Sequence, residues 1–547
     1  MKKFSLLLLV FLFINFFLPA QPRQRAVPTQ EEIDFNKLNM AFDAIKRFYF
    51  EETNNSKLVE DAIKAMLNNL DPHSTYSTAE ETRKMNEPLE ANFDGIGIQF
   101  NMYLDTLYII QVIAGGPSEK VGLLPGDRII SVNDTLISGV KMSNTDVIKL
   151  IRGKKGTQVR ISVKRGSSKD LIDFLIVRDK IPIFSIDASY MADPNTGYIR
   201  LSRFSAISID EFKKSFAALQ KKGMKNLILD LQENGGGYLQ IAYILTDLFL
   251  DKGKLIVYTQ GEKMRRSEVV STDESLFTNG KLVVLINESS ASASEILAGA
   301  IQDWDRGVIV GRRSYGKGLV QRPIDLPDSS MIRLSVARYH TPSGRYIQRP
   351  YEKGNVESYR HDIIDRFNKG ELMSADSIHF PDSLKYQTLI SKRTVYGGGG
   401  IMPDYFVPID STRLSEYYVR IARLGLINRM AMSYMDKNRR ELTRSYPDIT
   451  RFKQKFTVTE AMLQELIAMA TEEKIEYNEE QFLNSKDFLC LQLKAMIARD
   501  LFDFSEYFEI VNDHNDIYQQ ALKIINDDAL YNKILRPLSP FEGSRGM

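Results

Sequence analysis

Leu282-Val283-Val284-Leu285-Ile286-Asn287 is an unbroken apolar run of strand length, and Ser292-Ala293-Ser294-Glu295-Ile296-Leu297-Ala298-Gly299-Ala300, just beyond it, has the composition of a helix. A run of this length with no polar alternation reads as a buried strand. Asn226 to Leu231 repeats the pattern: another apolar run, then glycines, then a helix. From Pro182 to about Pro408 strands and helices alternate in this way, predicting an α/β core over 181–410. Within it, Gly354 to Val395 is polar and weakly periodic, and reads as an insertion or large surface loop.

On the amino-terminal side the periodicity changes. Short strands are predicted at Ile96–Phe100, Leu107–Ile113, Arg128–Val132, Gln158–Val163 and Leu171–Val177, with one helix at Asn144–Ile151. Their turns carry Gly115-Gly116-Pro117, Pro125-Gly126-Asp127 and Arg165-Gly166-Ser167, so 89–180 is a small β module. Before it, Phe35, Leu38, Phe42, Ile45 and Tyr49 follow helical spacing, and a second helix from Leu58 to Leu70 ends at Asp71-Pro72. That makes 30–88 a helical cap. After Asp410 strand signals fade, and helical patterns occupy Leu414–Met435, Val458–Thr471, Asp487–Leu501 and Tyr518–Ile525, so 411–547 is a helical domain without a recognisable functional motif.

At 547 residues the chain exceeds what one core serves, consistent with this division. Apolar content of 43% supports packed cores, and 72 Lys and Arg against 70 Asp and Glu provide no general field for a phosphate backbone, which argues against nucleic acid as a partner. Lys2 and Lys3, the apolar run Phe4 to Leu18 and then Ala20 read as a signal peptide over 1–20, implying export to a periplasm or cell envelope. The alternative is an uncut anchor, the one circumstance in which membrane association follows. Cys490 is the sole cysteine, so the fold holds without an intramolecular disulfide.

Three segments carry chemistry. Ser292 stands where a buried strand turns into a helix, beside N–H groups able to hold an oxyanion, although Ser292 with Glu295 equally fits a capping box whose only task is to start the helix. In Tyr315-Gly316-Lys317-Gly318-Leu319-Val320-Gln321, two-residue periodicity puts Lys317 and Gln321 on one face. A lysine is a general base only when burial or a positive neighbour keeps it neutral, and the bland reading is a solvated loop lysine. In Leu229-Asp230-Leu231-Gln232-Glu233-Asn234-Gly235-Gly236-Gly237 the glycines allow positive φ and close backbone approach, but the segment lacks the ending of a phosphate-binding loop and the spacing of a dinucleotide fingerprint. No cofactor is implied.

Taken in order, these segments resemble the C-terminal processing peptidases, also called tail-specific proteases, over roughly Leu58 to Pro408. The run Ser290-Ala291-Ser292-Ala293-Ser294-Glu295-Ile296 and the separation of Ser292 from Lys317 are similar to that family's pattern. The resemblance implies that Ser292 is the nucleophile, Lys317 its base and Gln321 the support of the lysine, with the N–H groups of Gly237 and Ala293 as oxyanion donors. Gln232 departs from it, standing where many members carry arginine.

In the β module, Phe93-Asp94-Gly95-Ile96-Gly97-Ile98 resembles the carboxylate-binding loop of PDZ domains, and Leu124-Pro125-Gly126-Asp127-Arg128-Ile129 resembles their turn into a central strand. Such a groove takes an extended peptide as an added strand while loop N–H groups hold its terminal carboxylate. Gly95, Ile96, Gly97 and Ile98 would form that loop, and Val147, Leu150 and Ile151 would line the groove's apolar side; the alternative is that these are core residues of a regulatory lid. The combined expectation is a serine endopeptidase cutting exported proteins near their carboxyl ends, its partners being proteins or peptides with apolar tails. An oligomer is compatible with this reading. A non-catalytic PDZ scaffold is the rival from another class, although Ser292 and Lys317 are both in place. A metal hydrolase is disfavoured, since His73, His340, His361, His379 and His514 form no short-spaced pair. His340 is the one candidate for a Ser-His-Asp arrangement.

Overall fold

The structure, a computed structural model, describes residues 29–536 apart from 104, 167, 411 and 413. The segment read as a signal peptide, 1–20, lies outside the described residues. The chain divides into two compact units, 1–66 and 67–547.

In the first unit the helix Gln30–Phe48 is opened by Thr29, whose N–H donates to Glu32 at 2.8 Å while its hydroxyl accepts from the Glu32 N–H at 3.2 Å. The helix matches its predicted spacing, but its apolar side is not covered. None of its residues is buried, and Phe35 is 65% exposed. No helix among the described residues is long and apolar enough to cross a membrane.

The second unit is built on a six-stranded sheet, in the order Ile186–Met191, Thr196–Leu201, Asn226–Asp230, Leu282–Ile286, Val308–Gly311 and Tyr405–Phe406. The first pair is antiparallel and every later pair is parallel. All five residues of Leu282–Ile286 are buried, as the uninterrupted apolar run requires. Ile199, Leu229, Val284 and Ile286 belong to one core with the helices Ser208–Lys221, Leu239–Asp247 and Ala293–Asp303. Tyr198, Ile228, Val283 and Leu285 belong to another, closed by Ile517, Ala521 and Ile524 of the helix Asp516–Asn526. The carboxyl-terminal helices thus complete the sandwich, a role that their own pattern does not disclose.

A second, antiparallel sheet joins Thr75–Ser77, Met331–His340, Leu255–Gln260 and Ser267–Val270, with Leu319–Asp325 also paired to Met331–His340. The segment read as a loop between Gly354 and Val395 is instead ordered by a helix, Val356–Asn368, and a short hairpin of Lys385–Gln387 with Thr394–Tyr396. Its polarity misleads because buried arginine anchors it: Arg366 donates to the backbone carbonyls of Arg313 and Ser314 at 2.7 and 3.1 Å.

The β module is an antiparallel sheet in the order Ile98–Tyr103, Thr106–Val112, Arg128–Val132, Gln158–Lys164 and Ile172–Val177, with the helix Asn144–Ile151 where it was predicted. It is joined to the rest by a two-stranded ribbon, Asn92–Gly95 against Asp179–Pro182. Ile98–Tyr103 is an edge strand, paired on one side only.

Candidate active site

Three adjacent parallel strands, Asn226–Asp230, Leu282–Ile286 and Val308–Gly311, all end at the same edge of the sheet. The loops that leave them are the glycine loop, the loop to Ser292 and the loop to Lys317. Parallel neighbours necessarily open their carboxyl ends on one side, which is where α/β sheets place ligand sites. This topology brings together segments separated by tens of residues along the chain.

Ser292 occupies φ 56° and ψ −110°, a conformation that a non-glycine residue adopts only when its surroundings hold it there. It is 8% exposed. The restraint is the fully buried Glu295 carboxylate. One of its oxygens accepts from the Ser292 N–H at 2.8 Å and the Lys317 N–H at 2.9 Å, and the other from the Ser314 hydroxyl at 2.5 Å and the Gly316 N–H at 2.7 Å. Burial pushes this carboxyl above its usual range, against the pull of those donors. Tyr339 adds a second tie, its hydroxyl donating to the carbonyls of Ser292, at 3.2 Å, and Lys317. The capping reading of Ser292 and Glu295 is therefore incomplete: the same carboxylate that helps start the helix also holds the lysine loop.

The Lys317 amine donates to Gln321 Oε1 at 2.8 Å. Gln321 in turn donates through Nε2 to the carbonyl of His73. Lys317 is only half-buried as a residue, but the surroundings of its amine are poor in water, and burial above all lowers its pKa, with positive Arg333 adding to the effect. Glu295 and Asp71 act in the opposite direction. Among the described residues no hydrogen bond joins the Ser292 hydroxyl to the Lys317 amine.

The glycine loop packs directly on the serine. A Cβ on Gly236 would stand 2.9 Å from Ser292 Cβ and 3.1 Å from the Ala293 nitrogen, and Gly237, at φ 148°, would place one 2.1 Å from the Phe204 carbonyl oxygen. Asn234 fixes the approach by accepting at its carbonyl from the Ala291 N–H at 3.0 Å and the Ser294 hydroxyl at 2.9 Å. The N–H groups of Gly237 and Ala293 take no acceptor among the described residues. At the variant position, the Gln232 carbonyl accepts from Arg200 at 3.0 Å, and that guanidinium also donates to Asp230 at 2.7 Å.

Sequence reasoning overlooked His73. Its N–H donates to Asp71 at 2.8 Å and its Nε2 lies 2.9 Å from the Tyr359 hydroxyl. Burial, then the nearby Lys317 charge, bring its pKa down to about 4, so the imidazole is neutral beside the lysine. The only early signal was its place at the Asp71-Pro72 helix stop. His340 is otherwise engaged, stacked on Tyr258 at 4.6 Å between centroids with Nδ1 3.1 Å from the Gly344 carbonyl.

In the β module the geometry revises one expectation. Phe93 to Gly95 form a strand of the ribbon and not a loop, because their backbone pairs with Asp179–Ile181; only Ile96 and Gly97, the latter at φ 78°, remain between strands. Val147, Ile151 and Ile96 are buried in the module's own core, whereas Leu150 and Ile98 are half-buried at its margin. The helix faces inward there because its apolar residues fill a small sheet that has no other cover.

Comparison with known proteins agrees with this architecture. The model of peptidase family S41 matches residues 195–358, a PDZ domain model matches 108–165, and the "activating protease CtpB N-terminal domain" matches 19–82. A further match, 417–503, is to a family of unknown function. The chain is 37% identical over 328 residues to the carboxy-terminal processing protease CtpA of Bacillus subtilis, covering 59% of this chain and 69% of that protein. It is also 37% identical over 314 residues to a carboxy-terminal-processing protease of Bartonella bacilliformis, covering 56% and 71%. Among solved structures, the photosystem II D1 C-terminal processing protease is 29% identical, with 59% of this chain and 91% of that one covered and a TM-score of 0.33. The family models and the two sequence relatives define a serine-type peptidase carrying a PDZ domain. The chain belongs to the carboxy-terminal processing proteases of family S41.

Proposed function

We propose that the protein is a serine endopeptidase that cleaves exported proteins near their carboxyl ends, with Ser292 as nucleophile, Lys317 as general base and the PDZ domain as the receptor for the substrate's tail. The observation that carries this reading is the single buried carboxylate of Glu295 tying the backbones of Ser292 and Lys317 together. The amine is held on Gln321, four residues further along the chain, and on this reading it turns to the hydroxyl when substrate binds, since catalytic hydrogen bonds commonly tighten only then. Neutral Lys317 takes the Ser292 proton as Oγ bonds to the scissile carbonyl carbon. The tetrahedral oxyanion receives hydrogen bonds from Gly237 and Ala293, and the lysine passes its proton to the leaving amine as the C–N bond breaks. Water, deprotonated by the same amine, then releases the acyl group.

The edge strand Ile98–Tyr103 supports the tail-binding assignment, since an unpaired strand edge is what an added peptide strand requires. On this reading the chain works as an export signal (1–20), a helical region (30–88), a PDZ receptor (89–180), a catalytic core (181–410) and a helical region (411–547), acting in the periplasm or cell envelope. The test is incubation of the mature protein, Ser292→Ala and Lys317→Ala with an unfolded protein bearing an apolar tail, products being located by mass spectrometry. Cleavage near the tail by the parent alone is expected. Undiminished cleavage by either variant rejects the pair, and cleavage indifferent to the tail rejects the PDZ role.

A further inference from the structure

Ile110 and Met432 are both buried, yet neither belongs to the core of its own module. Ile110 lies on a PDZ strand, next to Ile109, which does enter that core. Met432 lies on the helix Leu426–Ser445 of the carboxyl-terminal region, near Met435, which belongs to the helical core. They are covered because the two modules press together, leaving between them a cavity of about 20 Å³ lined by Tyr108, Ile110, Gly126, Met432, Met435 and Arg439, room for a single water at most. Polar contacts border the seam: Arg128 pairs with Asp436, and Gln111 donates to Asp503 at 3.3 Å.

The far side of the helical region meets the central sheet and Arg200, the residue that holds the head of the glycine loop. Asp503, the residue that meets Gln111, is the N-cap of the helix Phe504–Val511, accepting from the Phe504 N–H at 2.6 Å. Ser505 of that helix accepts from the Ser189 N–H of the central sheet at 3.3 Å. Its Phe508 ring lies 4.5 Å from the Arg200 guanidinium, which holds Asp230 and the Gln232 carbonyl at the head of the glycine loop.

We propose that the helical region around 417–503 is a docking body for the chain's own PDZ domain, seating it through Met432, Met435 and Asp436 and passing its position to the glycine loop through Asp503 and Phe508. Two packed surfaces on one helical region that shares a hydrophobic core give the coupling a contiguous physical route, and a tail bound at the PDZ edge would alter the loop by loosening or tightening the seat. This gives a task to the segment whose family has none assigned, and it does not depend on the identity of the nucleophile.

The test is amide hydrogen exchange on the full chain, followed at 106–112 in the PDZ domain and at 231–238 in the glycine loop, with 282–286 as an internal reference. Met432→Glu, which buries an unpaired carboxylate in the seam, is expected to speed exchange at both places by about tenfold or more. Arg128→Glu and Asp436→Arg, each setting like charges face to face at a partly exposed site, are expected to speed it by about threefold, and the double exchange to return both segments to within about twofold of the parent. The rescue keeps the test decisive if Met432→Glu loosens the reference strand as well. Unchanged exchange at 106–112 in every single variant, an opened seam with an unaltered glycine loop, or a double variant as open as the singles would each overturn the proposal.

Discussion

Glu295→Gln isolates the restraint on which the site depends. The carboxylate accepts four hydrogen bonds, and an amide of the same shape offers only one acceptor oxygen. Its best orientation keeps the oxygen on the N–H groups of Ser292 and Lys317 and turns the NH2 toward Ser314 and Gly316. The serine hydroxyl can reverse and accept, but the Gly316 N–H then faces another donor. One orphaned buried donor costs roughly 1–3 kcal/mol, and loss of charge assistance from the remaining bonds brings the total to about 2–4 kcal/mol. If most of this appears as misplacement of Ser292 and Lys317, kcat/KM falls by roughly 30- to 1000-fold. A second readout separates this from simple loss of stability. The Glu295 charge favours protonated Lys317, so its removal lowers the amine's pKa and moves the acidic limb of the pH–rate profile to lower pH. The assay is kcat/KM for a fluorogenic peptide over a pH series, at a temperature where circular dichroism shows both proteins folded. A variant within about threefold of the parent, with its acidic limb unmoved, would mean that Glu295 only caps a helix.

Arg333→Met removes the positive charge that helps keep the lysine neutral, so the acidic limb moves to higher pH, the opposite direction from Glu295→Gln; the same pH series measures it, and a shift of the same sign in both variants contradicts the electrostatic account. Gly237→Ala forces a Cβ into the Phe204 carbonyl and displaces a proposed oxyanion donor, so kcat falls by about 100-fold or more while KM changes little, as steady-state kinetics would register.

Along the chain, the local arrangements were legible. An apolar run of strand length without alternation, bounded by turn signals, reads as a buried strand, and Leu282–Ile286 is one. Ser-x-x-Glu starts a helix, and Ala293–Asp303 is that helix. The β module was legible for the same reason, since period-two patterns, glycine turns and one amphipathic helix are set by neighbours in sequence.

What sequence spacing left open was decided by strand order and by pairings across hundreds of residues. Glu295 reads as a cap because its helical role is local, whereas its hold on Lys317 exists only once Val308–Gly311 lies beside Leu282–Ile286. His73 enters the site through a backbone carbonyl, which no side-chain pattern encodes. Val147 and Ile151 have the same helical spacing whether they face a groove or a core, and only the tertiary packing shows them buried in the module's core. The carboxyl-terminal helices announced amphipathic faces but not their partners. That Ile517 and Ile524 cover the central sheet, and Met432 the PDZ domain, follows from long-range packing, because hydrophobic burial is non-directional and a sequence states how much surface must be covered without stating by what.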